Sequence, residues 1–247
     1  MGADDTQLAF PRPPNGCCNQ AVFGPLMLKE CTIEGLHDFL VDSVLQRYAV
    51  SGGRAIDLGV GSGALAVRLR ALGFEVVGVD NRPEQFRVDV PFVQLDLNEP
   101  AFASHLGQGT FDLVAAVEII EHLESAIGFL RNVRRLLNPG GLAVITTPNM
   151  DNAPVRVKFL LTGELHMMDK LVPDHISPIF YDLFTRQYLP RVGLQLVEHH
   201  LYPLRGYKGP RRRYAWALQI LARLLPGDAV LGDTHVFVLQ AVGEKSG

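Results

Sequence analysis

Along the chain, apolar residues gather in short runs separated by stretches of helical period or by turn residues. Five runs, Ala55–Leu58, Glu75–Val79, Pro91–Leu95, Phe111–Val117 and Leu142–Thr146, lack the alternation of a strand with one wet face. Such runs predict strands buried on both faces, as in a parallel sheet covered by helices. The clearest intervening helix spans Leu123 to Leu137, with Leu123, Ile127, Leu130, Val133 and Leu137 on one side and Arg131, Arg134 and Arg135 elsewhere. Asn138-Pro139-Gly140-Gly141 is expected to end it. Upstream, Leu36, Leu40 and Val44 share a helical face with Phe39 and Tyr48. Downstream, Tyr181–Val192 reads as a helix, and Leu194–Tyr202 and Thr234–Val242 as closing strands. The pattern predicts one doubly wound α/β domain over 35–247, preceded by a helical N-terminal extension, 1–34. Two inserts interrupt it: 148–180, without a clean period, long for a loop and expected as a lid or substrate insert, and 203–233, basic and helical.

Composition narrows the class. A chain of 247 residues with 47% hydrophobic and 20% charged residues can bury a full core. No apolar run reaches the roughly 18 residues of a membrane span. The start, MGADDTQLAFPRPPNG, is acidic and proline-rich, unlike a secretory leader. Three cysteines, with Cys17 and Cys18 adjacent, fit neither a disulfide framework nor metal-ligand spacing, so a reduced, cytoplasmic protein is expected. A net charge of −3 argues against general nucleic-acid binding. Charge is uneven, however: Tyr202–Pro226 holds six cationic residues and no carboxylate, leaving −9 on the remainder. There Trp216, Leu218, Ile220, Leu221, Leu224 and Leu225 follow Arg211, Arg212 and Arg213. Residues 205–225 read either as a cover helix or as a peripheral membrane contact.

The candidate chemistry begins at Gly59-Val60-Gly61-Ser62-Gly63-Ala64, straight after the first apolar run. The spacing satisfies the dinucleotide fingerprint, which keeps an NAD(P)-dependent oxidoreductase open. Asp57 inside the preceding strand argues otherwise: a carboxylate repels a pyrophosphate and suits a cofactor with a cationic amine. Asp80 closes EVVGVD, 17 residues after Gly63, where an acid can accept hydrogen bonds from ribose hydroxyls. Asp96 and Leu97 end the third strand as a second acidic tip beside an apolar residue, suited to an adenine amino group and ring.

Together AIDLGVGSG, VVGVD, FVQLDL, FDLVAAVEIIEHLE and LLNPGGLAVITTPN resemble, in order and spacing over about residues 35 to 150, the class I S-adenosylmethionine-dependent methyltransferases. The similar subgroup is that of the ubiquinone-biosynthesis O-methyltransferases, which share Glu-x-x-Glu-His. The resemblance implies a mostly parallel, Rossmann-like seven-stranded sheet whose last strand is antiparallel, and S-adenosylmethionine as cofactor. It implies that Gly59, Gly61 and Gly63 line the methionine side, with Asp57 near the amine and Asp80 on the ribose. Asp96 and Leu97 would take the adenine, and Val117 and Glu118 the methionyl portion. The implied acceptor is a small molecule, or a sugar- or lipid-linked one.

Methyl transfer from a sulfonium is an in-line displacement with a neutral leaving group. The protein aligns the nucleophile and, for a hydroxyl, removes its proton. His122 is the first candidate base, with Glu121 to orient it, and His175 in PDHISPIF is the second. Glu118, Glu121 and His122 stand at i, i+3 and i+4, which would converge on one side of a helix. With His175 they resemble the metal site of small-RNA 3′-terminal 2′-O-methyltransferases, which also carry Thr-Pro-Asn and Asp-His. Ile176, Ser177, Pro178 and Ile179 stand where that family has aromatic and basic residues. The alternatives are thus a metal-dependent RNA 2′-O-methyltransferase, an oxidoreductase, and a catalytically silent cofactor-binding module acting through its basic helix.

Overall fold

The computed structural model describes residues 19–23, 26–49, 52–170, 172–203 and 231–242. The basic stretch 204–230, with Trp216, lies outside the described residues, as do Cys17 and Cys18.

A hairpin, β1 (Asn19–Phe23) and β2 (Leu26–Glu30), precedes the main sheet. Helical turns follow without a break: α1 (Leu36–Phe39), a π turn over Leu40–Val44 and a 3-10 turn over Leu45–Tyr48. The described part of 1–34 holds a hairpin, and the helical period starts at Leu36, as the sequence pattern indicates, where Leu36, Leu40 and Val44 bury completely.

The main sheet has seven strands: β3 (Arg54–Leu58), β4 (Glu75–Asp80), β5 (Phe92–Gln94), β6 (Phe111–Val117), β7 (Leu137–Pro148), β8 (Leu194–Tyr202) and β9 (Thr234–Ala241). Their spatial order is β5-β4-β3-β6-β7-β9-β8. β3 to β7 pair in parallel, and β9 runs antiparallel to both β7 and β8. The doubly wound expectation and its antiparallel last strand are borne out.

Alternation sorts the strand side chains into two cores. Ile56, Leu58, Val114, Ala116, Ile145 and Phe237 pack on one face against α3 (Ala126–Leu136), and Ala55, Leu113, Ala115, Val144 and Val236 on the other against α2 (Ala64–Ala71) and the Leu36–Tyr48 turns. Both faces of the central strands are apolar, which explains the unbroken runs.

Three local expectations shift. Helix α3 starts at Ala126 and not Leu123, because Ser125 accepts the Gly128 N–H as its N-cap. It ends at Leu136, and Asn138-Pro139-Gly140-Gly141 forms the irregular start of β7: Phe111 pairs with Leu137, but Leu113 with Leu142. The insert 148–180 contains a helix, α4 (Ala153–Thr162), capped by Asn152, whose side chain accepts the Val155 N–H. Periodicity missed it because Phe159, Leu160 and Leu161 are consecutive and exposed. The insert returns through α5 (Tyr181–Leu183), a π turn over Phe184–Tyr188 and α6 (Leu189–Val192). Among the described residues no helix is long and apolar enough to cross a membrane.

Candidate active site

Parallel strands leave a crevice beyond their carboxyl ends, where the order reverses. Here that point lies between β3 and β6, and the sequence-predicted residues collect around it. Gly59, Gly61 and Gly63 adopt φ of 80°, 51° and 91°, conformations that β-carbons disfavour. A β-carbon at Gly63 would fall 2.3 Å from Val88, and one at Gly59 2.9 Å from Ile119, whereas nothing lies within 4 Å of one at Gly61. The turn is thus packed on two sides and open at Gly61.

Asp57 lies at this turn, 2% exposed, and its Oδ2 has no hydrogen-bond partner. Burial first, and then the negative charge of Asp80, push its carboxyl up to about 7. A buried carboxylate without a partner is suited to an incoming cation. Asp80 ends β4 with both oxygens engaged: Oδ2 accepts the Gly61 N–H at 3.0 Å, and Oδ1 the Arg82 N–H at 2.9 Å. It braces the glycine turn in addition to any ligand it holds. Leu97 is buried, while Asp96 is exposed and its Oδ1 accepts the Asn98 N–H at 2.9 Å, closing a local turn. Val117, half-buried, ends β6.

After β6 the chain does not form the helix that would align Glu118 with Glu121 and His122. Glu118 sits at φ 51°, a left-handed conformation rare for a side chain of its size, and only Ile120–His122 makes a 3-10 turn. The Glu118 N–H donates to Thr146 Oγ1 at 3.0 Å, and that hydroxyl donates back to Glu118 Oε1 at 2.9 Å. Glu118 is thereby tied to β7, and burial, opposed by the Thr146 bond, pushes its carboxyl up to about 7. Of the four residues, three bring potential ligand atoms together.

Those three do meet. Donor atoms of Glu121, His122 and His175 lie within 4.8 Å of one another. The His122 and His175 rings meet edge to face at 4.5 Å between centroids. Main-chain bonds bring the insert there: Ile176 and Ser177 N–H both donate to the Glu121 carbonyl, at 2.8 and 2.9 Å. His122 Nδ1 lies 3.0 Å from the Asp174 carbonyl, which can only accept, so Nδ1 carries the proton and Nε2 is left bare. The group orienting His122 is thus the Asp174 carbonyl and not Glu121, as the sequence had suggested.

Glu121 is fully buried with neither oxygen hydrogen-bonded, and burial, then the charge of Glu118, hold its carboxyl well above the usual range. Burial lowers His122, and burial with the neighbouring His122 lowers His175 to about 4, so both rings are neutral near pH 7. The arrangement offers a bare imidazole nitrogen beside a second imidazole and a buried carboxyl, fitted to take a proton or to ligate a cation. Asp174 and Thr146 were not identified from sequence. Their signal was Thr-Thr-Pro-Asn and Pro-Asp-His, read only for the histidine and the strand end.

A model of the methyltransferase domain matches residues 34–199. The chain is 27% identical over 161 residues to the ubiquinone biosynthesis O-methyltransferase of Xanthomonas campestris pv. campestris (strain B100), covering 59% of this chain and 67% of that protein. It is 33% identical over 135 residues to the protein of the same name from Caulobacter sp. (strain K31), spanning about half of each, 52% and 53%. In fold it is similar to the 1,6-didemethyltoxoflavin-N1-methyltransferase of Burkholderia thailandensis, a structure with bound S-adenosylhomocysteine, at a TM-score of 0.54 and 14% identity over 85% of this chain and 80% of that one. The chain belongs to the methyltransferase-domain family and has the Rossmann-like fold of its S-adenosylmethionine-dependent members.

Proposed function

We propose that this S-adenosylmethionine-dependent methyltransferase methylates a hydroxyl oxygen of a small-molecule acceptor, with His122 as the general base. The observation that carries the reading is the bare Nε2 of a neutral His122, fixed by the Asp174 carbonyl at 3.0 Å. The cofactor's methionine end would lie along Gly59, Gly61 and Gly63, with Asp57 on its amine, Asp80 on the ribose, Asp96 and Leu97 on the adenine, and Val117 and Glu118 beside the methionyl chain. The cofactor supplies an electrophilic methyl group. The protein's part is to hold the hydroxyl in line with it, exclude water, and accept the proton at His122 Nε2. The groove of about 380 Å³ between the start of α3 and the returning insert is lined by Ile127, Ile176, Phe180 and Tyr188 but by none of Glu121, His122 and His175, so the acceptor is not assigned to it.

One observation favours a second reading of the same cluster. Three potential ligands converge within 4.8 Å, and buried Glu121 has no partner for either oxygen. Such a mixed N/O set fits a divalent cation, which would hold the acceptor oxygen as its anion.

Incubation with methyl-tritiated S-adenosylmethionine and matched phenol, catechol, carboxylate and amine probes, with and without chelator, tests both readings. O-methylated product, reduced on the order of a hundredfold or more in His122→Ala with S-adenosylhomocysteine affinity unchanged, supports the base. Loss on chelation and recovery with a divalent ion supports the cation. Label only on amines would contradict the O-directed reading.

A further inference from the structure

The insert that carries His175 leaves the sheet at Pro148 and returns at α5, and one side chain joins its ends. Asp151 Oδ2 accepts the N–H of Tyr181, the first residue of α5, at 2.7 Å. The same oxygen faces His235 Nε2 at 3.6 Å, and His235 Nδ1 lies 3.0 Å from His199 Nε2. His235 is completely buried at the start of β9, opposite Thr147. His199 stands on β8 opposite Phe237, and the rings of Tyr181 and His199 lie 4.6 Å apart.

At 3.6 Å the Asp151 carboxylate lies within ion-pair range of His235 without a hydrogen bond, whereas His199 Nε2 and His235 Nδ1, at 3.0 Å, share one proton between them. Both imidazoles are neutral, for burial lowers each of them. The neighbouring Asn149 and Asn152 donate their amides to the Leu231 and Gly232 carbonyls, so Asn149–Asn152 also fixes where the chain re-enters the sheet. Apolar side chains in this layer would supply stability at less desolvation cost. A chain of directed polar contacts adds a single geometry.

We propose that Asp151 is a positioning residue for methyl transfer. By joining Tyr181 to the buried His235–His199 pair, it sets how the insert meets the Ile120–His122 turn, and through the Asp174 carbonyl it fixes which nitrogen of His122 carries the proton. The inference rests on the reading of His122 and His175 as the reacting end.

The test is long-range 1H–15N spectra of metal-free protein labelled on histidine nitrogen, saturated with S-adenosylhomocysteine, with the His122 signal assigned by its loss in His122→Gln. Wild type shows His122 protonated at Nδ1. Asp151→Ala shifts it to the mixture of a free imidazole, speeds exchange of the Ile176 and Ser177 amides at least tenfold, and leaves S-adenosylhomocysteine affinity within twofold. Asp151→Asn, which keeps an oxygen for the Tyr181 N–H, restores the wild-type tautomer. A folded Asp151→Ala with an unchanged His122 tautomer, or an Asn variant that behaves as the Ala one, overturns the proposal. Should Asp151→Ala fail to fold, His199→Phe takes its place: a smaller shift in the same direction supports the proposal, and no shift overturns it. Because these spectra read geometry and not turnover, an error in assigning the reacting end leaves their outcome untouched.

Discussion

Burial and the charge of Asp80 raise the Asp57 carboxyl, which on the proposed reading makes cofactor binding and folding stability depend on pH in opposite senses. With its carboxyl raised to about 7, pairing with an amine requires loss of a proton. S-adenosylhomocysteine affinity should therefore rise on the order of tenfold from pH 6 to pH 8 and then level, with proton release on binding. Calorimetry in buffers of different ionisation enthalpy reads both, and Asp57→Asn should bind weakly with no slope. For stability the sign is reversed. The folded value lies above the ordinary 3.8 of an aspartate, so the folded state holds the extra proton between the two. That contribution is complete below about 3.8 and is lost as pH rises through about 7. Cofactor-free Asp57→Asn should consequently melt several degrees above wild type at pH 8, and a lower melting point would refute the buried-charge account. At Asp80 the residue has two parts to play, since it holds the Gly61 N–H as well as any ribose.

At the scale of elements, two polar contacts fasten the N-terminal segment to the domain. On β2, Glu30 forms an ion pair with Arg68 of α2 at 2.6 Å, and Ser62 of the glycine turn donates to the Lys29 carbonyl at 2.7 Å. Burial would raise the Glu30 carboxyl, but His37 and Arg68 together outweigh it and lower it. Removing the cation with Arg68→Ala leaves the buried Glu30 carboxylate with His37 alone and should cost about 3 kcal/mol in chemical denaturation, and Arg68→Ala combined with Glu30→Gln should recover much of it. On β8, Glu198 is bonded by Tyr48, Arg47 and His200. The Tyr48 bond above all, against burial and aided by His200 and Arg47, lowers its carboxyl to about 2. Glu198→Ala should cost about 1 kcal/mol at pH 7. The difference from wild type should vanish as pH falls from 4.5 through about 2, since a depressed carboxyl stabilises only while ionised.

The same elements show what could be read in advance. Phe111–Val117 and Leu194–Tyr202 form strands over the expected residues, because burial on both faces or a sustained apolar period leaves little choice. Helix α4 escaped because the exposed run Phe159, Leu160 and Leu161 breaks its helical period, although Asn152 marks its start locally. The helical spacing of Glu118, Glu121 and His122 misled for a non-local reason. Thr146, 28 residues away in sequence, holds Glu118 in a left-handed conformation that no local pattern announces.

For the molecule as a whole, the proposed reading puts the cofactor end on the sheet and the reacting end where the Ile120–His122 turn meets the insert. Asp57, Asp80 and the three glycines were legible because the turn is local to two adjacent strands. The insert's share was only partly so. His122 and His175 stand 53 residues apart, and their meeting depends on Glu121 accepting two N–H groups and on Asp151 closing the loop behind them. The glycine spacing alone admits a dinucleotide, and the structure opposes one: Gly61 already donates to Asp80, and unpartnered Asp57 would face a pyrophosphate. The most direct test is a thermal melt of the purified protein with S-adenosylhomocysteine and, separately, with NAD(H). Saturation near a hundred times the dissociation constant adds ~2.7 kcal/mol, about 5–10 °C for a chain of this size. The account predicts that shift with S-adenosylhomocysteine, its loss in Asp57→Asn, and none with NAD(H). A shift with NAD(H) alone would contradict it.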